Sequence, residues 1–448
     1  MRSSRWLLAL IFSAFLFITT AVAQSPRTLS DLPTEAQARI RAAIRGLRST
    51  AQSEAARATT TWPQIAELTS ANVFEEYVAG SVAINGDTIA VGAPWGLDGA
   101  VLVFTKPASG WKNMIQVALL TASDGQTNPG LGCSVAISGD TIVAGATTPD
   151  YTGCHLQAPT AGAAYVFVKP PSGWTNMTET AKLIASDSIT SEANLGWSVG
   201  ISGDTVVAGA PGTLSGDEGS AYVFVKPGSG WRNMSPTAKL TASDAMPGDG
   251  LGYGVAIMGN TIVASALGAL KAYVYVEPST GWENATQTAE LSASNGLSGD
   301  AFGFATAASG NTIAVGAPFV NAGAGAAYIF VEPPNGWLNT TETAELTGGG
   351  GNMGWSVAIG PQALVTGAAN YTNGINDREG AAFVFLKPSG GWKSTSNYQA
   401  RLTGSDARIV SFFGTSVAIS GDMIVAGAPW TVLGAAHEGA AYIYEYLP

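Results

Sequence analysis

Short apolar runs of four to six residues alternate with glycine-rich turns along most of the chain, and the same pair of runs keeps returning. The segment "SVAISGDTIVAGA" occupies residues 134 to 146, and close copies stand at 198 to 210 and 416 to 428. Alternation with a period of two, interrupted at Gly-Asp or Gly-Asn, predicts a β-hairpin. Aligning every copy gives seven units, whose first strands open at Ser81, Ser134, Ser198, Gly254, Ala305, Ser356 and Ser416. A variable loop follows each hairpin, then a third strand such as Ala163 to Val168, Ala221 to Val225 or Ala327 to Val331. That strand ends at proline and a Gly-Trp turn in the first six units, and a fourth strand such as Ala289-Glu290-Leu291 completes the unit.

A four-stranded sheet of this length cannot bury both faces alone, and radial stacking of copies solves that problem while leaving only short edges. The expectation is an all-β fold, a seven-bladed β-propeller of four-stranded blades over residues 61–448. The seventh unit stops at Tyr446-Leu447-Pro448 without a fourth strand, while an orphan strand, Ile65-Ala66-Glu67-Leu68-Thr69, precedes the first unit. Pairing the two closes the last blade from both ends of the chain and leaves no free edge.

Phe302-Gly303 followed by Gly316-Ala317-Pro318, and Phe413-Gly414 followed by Gly427-Ala428-Pro429, carry a family signature; Gly92-Ala93-Pro94 and Gly209-Ala210-Pro211 repeat its second half. Over residues 62–448 the chain resembles FG-GAP repeat, or integrin-alpha-type, propellers. Members of that family often hold calcium in a D-x-[DN]-x-[DN]-G-x-x-D loop, where alternating oxygens surround a hard cation. No such loop occurs in this sequence. Asn373 to Glu379 and Ser215 to Glu218 have oxygen-bearing side chains at other spacings, which suits turns. The expectation is no metal site and no cofactor, with calcium the one ion the resemblance would supply.

The segments before the ring differ in kind. Arg2 and Arg5 precede an apolar run from Trp6 to Thr20 and then Ala21-Val22-Ala23, the pattern of a signal peptide over residues 1–23. The mature chain is expected to start at Gln24 and to be secreted or periplasmic, with no transmembrane segment. Residues 24–60 hold six arginines against three acidic residues; Leu32, Ala36, Ile40, Ala43, Ile44 and Leu47 recur at helical spacing, with Pro33 at the start. A basic amphipathic helix or linker is expected there. Residues 61–448 hold 13 basic and 29 acidic residues, a net of −16, which argues against nucleic acid and anionic membrane as partners. Cys133 and Cys154 are the only cysteines, and an even pair in an exported chain is expected to form one disulfide.

Comparing the seven units shows where function has room. The Gly-Asp and Gly-Trp turns barely change, whereas the loops between strands two and three, and between successive blades, vary in length and content. In a propeller both variable sets emerge on one face, the expected binding face. The residue just before the first strand is aromatic in four consecutive blades, Trp197, Tyr253, Phe304 and Trp355, against Gly80, Cys133 and Thr415 elsewhere. Such an arc suits stacking on sugar rings or packing on a protein; filling space between blades is the competing role. Trp95 and Trp430 follow Gly-Ala-Pro in the first and last units and become neighbours when the ring closes.

The same loops carry Asp98, Asp150, Asp217, Glu218, Asp249, Asp300, Asp377, Glu379 and Glu438, which could receive a basic partner or serve solubility. Asn176, Asn233, Asn284 and Asn339 follow Gly-Trp turns in N-x-[ST] sequences, with Asn370 a fifth elsewhere. His155 and His437 are the only histidines and fall in non-adjacent units, so no Ser-His-Asp, Cys-His or multi-histidine pattern can be assembled. No catalytic residue is assigned. The expectation is a monomeric, non-enzymatic scaffold for a protein partner, with a glycan-binding or carbohydrate-active role as the alternative.

Overall fold

The computed structural model describes residues 62–447 except 72–76, 96–98, 126–129, 148–160, 186–192, 213–215, 374–376, 407–409 and 434–435. The expected signal peptide and basic helix, with Cys154, Asp98, Asp150 and His155, therefore lie outside the described residues, and with Cys154 the expected disulfide. Residues 57–448 form one compact unit.

Seven antiparallel sheets follow one another along this unit. In the third blade the strands are Val199–Ser202, Thr205–Ala210, Ser220–Val225 and Ala238–Thr241, paired in sequence order. The last blade comprises Ser416–Ser420, Met423–Ala428, Ala440–Glu445 and then Gln64–Thr69, with Leu68 opposite Ala441 and Glu67 opposite Tyr442. The ring is thus closed by both ends of the unit, as the orphan strand predicts.

The core is divided among seven seams, each lined by residues of two neighbouring blades. The period-two pattern of the third strand explains this. In Ser220–Val225, Tyr222 and Phe224 turn toward the preceding blade, whereas Ala221 and Val223 turn toward the following one. Each seam therefore sets an aromatic face against a small one, so the two interlock and fill the space between blades. The buried tryptophan of the Gly-Trp turn joins the aromatic side. Trp62 supplies that tryptophan to the last blade, 4.9 Å from Tyr446 and packed with Leu402 and Tyr442. The set therefore has seven members where the Gly-Trp motif alone reveals six.

Two hydrogen-bonded features tie the blades together beyond packing. Near the axis, the opening serine of one blade reaches a backbone carbonyl of the next: Ser81 Oγ to Gly132 O at 2.7 Å, Ser134 to Gly196, Ser198 to Gly252, Ser356 to Gly414 and Ser416 to Ala79, each at 2.8 Å. The fourth blade has Gly254 in the serine position and Ser265 where the others have glycine. From there Ser265 Oγ donates to the matching carbonyl, Gly303 O, at 2.6 Å. The fifth blade has Ala305 and offers no hydroxyl. We expect Ser265→Gly alone to cost about 1–2 kcal/mol, the usual loss for a buried hydrogen bond, and Gly254→Ser added to it to recover most of that. Denaturant unfolding of the two variants checks the exchange; no recovery in the double variant would show that the two sites are not equivalent.

At the rim, the segment after each Gly-Trp turn reaches back to the preceding blade. Met114–Ile115 pairs in parallel with Leu68 and Thr69, and Ala285–Thr286 does the same with Leu240 and Thr241. The asparagine that opens this segment accepts a backbone N–H of the outer strand: Asn176 Oδ1 from Leu119, Asn233 from Lys182, Asn284 from Lys239 and Asn339 from Glu290, at 2.7–2.9 Å. Asn113, which has no N-x-[ST] sequence, accepts from Glu67 in the same way. The recurrence of these asparagines therefore has a structural cause that is independent of glycosylation.

Candidate functional site

The variable-loop face is built from one repeated bend. Just before each first strand the chain turns through two left-handed positions, with a buried residue between them. The first positions are Tyr77, Gly130, Asn194, Gly250, Ala301, Asn352 and Phe412, all at positive φ. The buried residues are Val78, Leu131, Leu195, Leu251, Phe302, Met353 and Phe413, at most 1% exposed. The third positions are glycine in six blades and Ala79, at φ 71°, in the first. This bend sends its middle side chain into the seam and leaves the next residue at the mouth of the ring. The Phe-Gly half of the signature is thus the anchor that orients the mouth residue.

Four consecutive mouth positions place their rings in contact. Trp197 and Tyr253 have centroids 5.5 Å apart, Tyr253 and Phe304 5.5 Å, and Phe304 and Trp355 4.7 Å, with interplanar angles near 50° that follow the curve of the ring. All four side chains are half-buried. Burial pushes the Tyr253 phenol well above its ordinary pKa. Trp95 and Trp430 meet edge to face at 6.0 Å across the closed ring, as their positions predict. Tyr77, not singled out by the repeat, joins them: it stacks on Trp95 at 5.0 Å and packs edge-on to Trp430 at 5.9 Å. A Cβ on Gly80 would lie 2.6 Å from the Tyr77 ring, so Tyr77 covers the mouth position that the first blade leaves empty.

Three exposed apolar side chains stand in the variable loops. Met246 is 64% exposed, Leu297 69% and Phe319 42%, with Phe319 6.4 Å from Phe304. Met246 and Leu297 occupy equivalent loop positions and are presented identically: Asp249 Oδ2 accepts the Met246 N–H and Asp300 Oδ2 the Leu297 N–H, both at 2.7 Å. Asp249 and Asp300 are therefore turn-forming groups as well as negative charges. Phe319 precedes the turn Val320–Gly323, in which Asn321 and Ala322 adopt φ of 55° and 58°. All described non-glycine residues at positive φ lie in the two variable loop sets. Left-handed backbone costs an ordinary residue about 1 kcal/mol or more and tends to concentrate at functional surfaces.

One acidic position differs from a solubility role: Glu379 is buried, at 2% exposure, whereas Asp377 stays exposed and pairs with the neighbouring Arg378 at 3.3 Å. Glu218 is exposed as expected. His437 lies among residues whose side chains are not described. Among the described residues no group of three His, Cys, Asp or Glu side chains is arranged to hold a metal ion.

The opposite face is uniform. Its Gly-Asp turns hold exposed pairs, Lys106 with Asp87, Lys169 with Asp140 and Lys226 with Asp204, at 3.0–4.0 Å. Pairs this exposed contribute little. Between the faces runs an axial channel of about 230 Å³, lined by three residues from each first strand, almost all Val, Ala or Ile.

Fold and site together define a seven-bladed propeller with one irregular, aromatic-bearing face. The FG-GAP repeat family model matches residues 114–167, 177–224, 234–275, 285–330 and 397–444, more than half of the chain. The chain belongs to the FG-GAP repeat family. Each match runs from the outer part of one blade into the third strand of the next, which is the stretch that carries a seam. The first and sixth blades keep the fold without matching over their inner strands. Propellers of this family are often interaction domains. No curated protein matches the chain. Among the described residues no helix is long and apolar enough to cross a membrane.

Proposed function

We propose that the chain is an exported, non-enzymatic interaction module that binds a protein partner through its variable-loop face. The observation that carries this is the continuous arc of Trp197, Tyr253, Phe304 and Trp355, with the exposed Phe319 against Phe304 and the exposed Met246 and Leu297 in variable loops of the same face. Half-buried aromatics beside exposed aliphatic groups are the composition of a protein-binding centre, and left-handed loop backbone holds them in place before a partner arrives. The signal-peptide pattern supports export, and the acidic body supports a partner that is not nucleic acid. The module works as a monomer and without a bound metal.

Glycan binding is the second role, favoured by the same aromatic rings. Neighbouring rings tilt by 48–53°, so the arc offers curved edges instead of one flat stacking platform, which favours a protein. Binding of the chain from Gln24 onward to a polysaccharide panel, with calcium and with a chelator, separates the roles. Silence across the panel is expected. Saturable sugar binding lost in Trp197→Ala and Trp355→Ala would overturn the protein reading, and sensitivity to chelator would overturn the metal-free one.

A further inference from the structure

Among the described residues, the corner that follows the outer strand holds aspartate in three blades, Asn295 in the fourth and Gly350 in the fifth. After the outer strand, Asp124, Asp244 and Asp406 each accept the phenolic hydrogen of a third-strand tyrosine in the next blade: Tyr165 at 2.9 Å, Tyr273 at 2.9 Å and Tyr442 at 2.7 Å. Between the fourth and fifth blades the position is Asn295, whose Oδ1 accepts from Tyr328 at 3.0 Å and whose Nδ2 donates to Glu345 Oε1 at a long 3.3 Å. The residue after it is Gly296, and both are exposed.

We propose that Asn295 is a self-modifying site that loses its side-chain amide to become an aspartyl or isoaspartyl residue. The backbone nitrogen of Gly296 attacks Cγ of Asn295; the N–Cγ bond forms as the Cγ–Nδ2 bond breaks. Ammonia leaves with the proton given up by the Gly296 nitrogen, and water then opens the cyclic imide at either carbonyl. Water is consumed, ammonia is released, and nothing is oxidised or reduced. The hydrogen bond from Tyr328 to Oδ1 polarises the amide carbonyl toward that attack. Glycine leaves the attacking nitrogen unobstructed, and the only backbone acceptor of the Gly296 N–H is Ala293 O at 3.3 Å.

What sets Asn295 apart from the other described Asn-Gly pairs is the Tyr328 hydroxyl on its side-chain carbonyl. Asn85 is paired across its hairpin with Thr88, and Gly86 beside it donates to Ser420 Oγ. Gly336, after Asn335, donates to Pro333 O at 3.0 Å. The fold also accepts the product. A carboxylate at position 295 would face Tyr328 and Glu345 as Asp406 faces Tyr442 and Glu67, and that acidic pair is already tolerated: burial, then Asp406, raises the Glu67 carboxyl above its usual range. Modification adds a negative charge beside the exposed Leu297, and the isoaspartyl form also lengthens the backbone that presents it. The chemistry at Asn295 stands whether or not that face binds a protein.

Incubating the full chain in mildly alkaline buffer and resolving Asn, Asp and isoAsp peptides by mass spectrometry tests the proposal. Conversion at Asn295 is expected to exceed that at Asn85 and Asn335 by at least about tenfold, and Gly296→Ala to slow it by about tenfold. Gly296 is not at positive φ and a Cβ there would come no closer than 3.4 Å to another residue, so that variant should fold normally. Equal or slower conversion at Asn295, or conversion unaffected by Gly296→Ala, would overturn the proposal. Asn295→Gln, which disfavours the cyclic imide, should abolish the product peptide; its persistence would place the modification elsewhere.

Discussion

Deleting residues 62–69 leaves a chain that no longer persists as a folded monomer. Those residues supply the outer strand of the last blade, with buried Leu68 and Ala66 in one seam and buried Trp62 in the other. Losing a buried leucine costs about 2–5 kcal/mol and a buried tryptophan about 3–5 kcal/mol. The strand of residues 440–445 would then present an unpaired edge, and Met114–Ile115 would lose its partner. Together these losses are comparable to the whole stability of a typical domain, about 5–15 kcal/mol. Thermal unfolding with light scattering should show a collapse of the transition and aggregation, partly reversed by a synthetic peptide of residues 61–70 added in trans. An unchanged transition would mean that the ring does not need this closure.

Gly367→Ala is expected to be nearly as damaging, although it adds one methyl group. A Cβ at Gly367 would lie 1.8 Å from Gly414 O and 2.3 Å from Ser356 Oγ, so the seam between the sixth and seventh blades would have to open. Overpacking costs about 1–3 kcal/mol where neighbours can yield, and the obstacle here is backbone of the next blade, which places this change at or above the upper end. Gly228→Ala is the control: no atom lies within 4 Å of its Cβ and its φ is not positive, so it should be neutral or slightly stabilising. Comparing the two denaturation midpoints checks the seam directly, and equal midpoints would contradict it. Gly367 stands in Gly-Ala-Ala, but the glycines of Gly-Ala-Pro, Gly92, Gly209, Gly316 and Gly427, approach the bend of the next blade almost as closely, so the two halves of the family signature form one contact.

Much of the ring was legible because period-two alternation and Gly-Asp turns are local signals, and because seven copies reinforce one another. The orphan Ile65–Thr69 revealed closure for the same reason. The first-blade bend was hidden by substitution: Tyr77-Val78-Ala79 performs the Phe-Gly turn without its residues, so Tyr77 could not be placed beside Trp95 and Trp430. Trp62 was hidden because its Gly-Trp partner motif is interrupted by ring closure. The aromatic arc followed from register, but Met246, Leu297 and Phe319 did not. Their exposure depends on loop shape, which Asp249 and Asp300 set through backbone hydrogen bonds that spacing alone does not show. Glu379 failed in the opposite sense, since an acidic loop residue gives no sequence sign of burial.

The most direct test of a binding role for the variable-loop face is site-specific photo-crosslinking in the native host. A photoreactive residue is placed at Phe319, Met246 or Trp355 on one face, and at Asp87 or Lys169 on the other. Discrete protein adducts are expected from the first three positions and none from the last two. Adducts confined to Asp87 and Lys169, or no protein adduct from any position, would contradict the assignment.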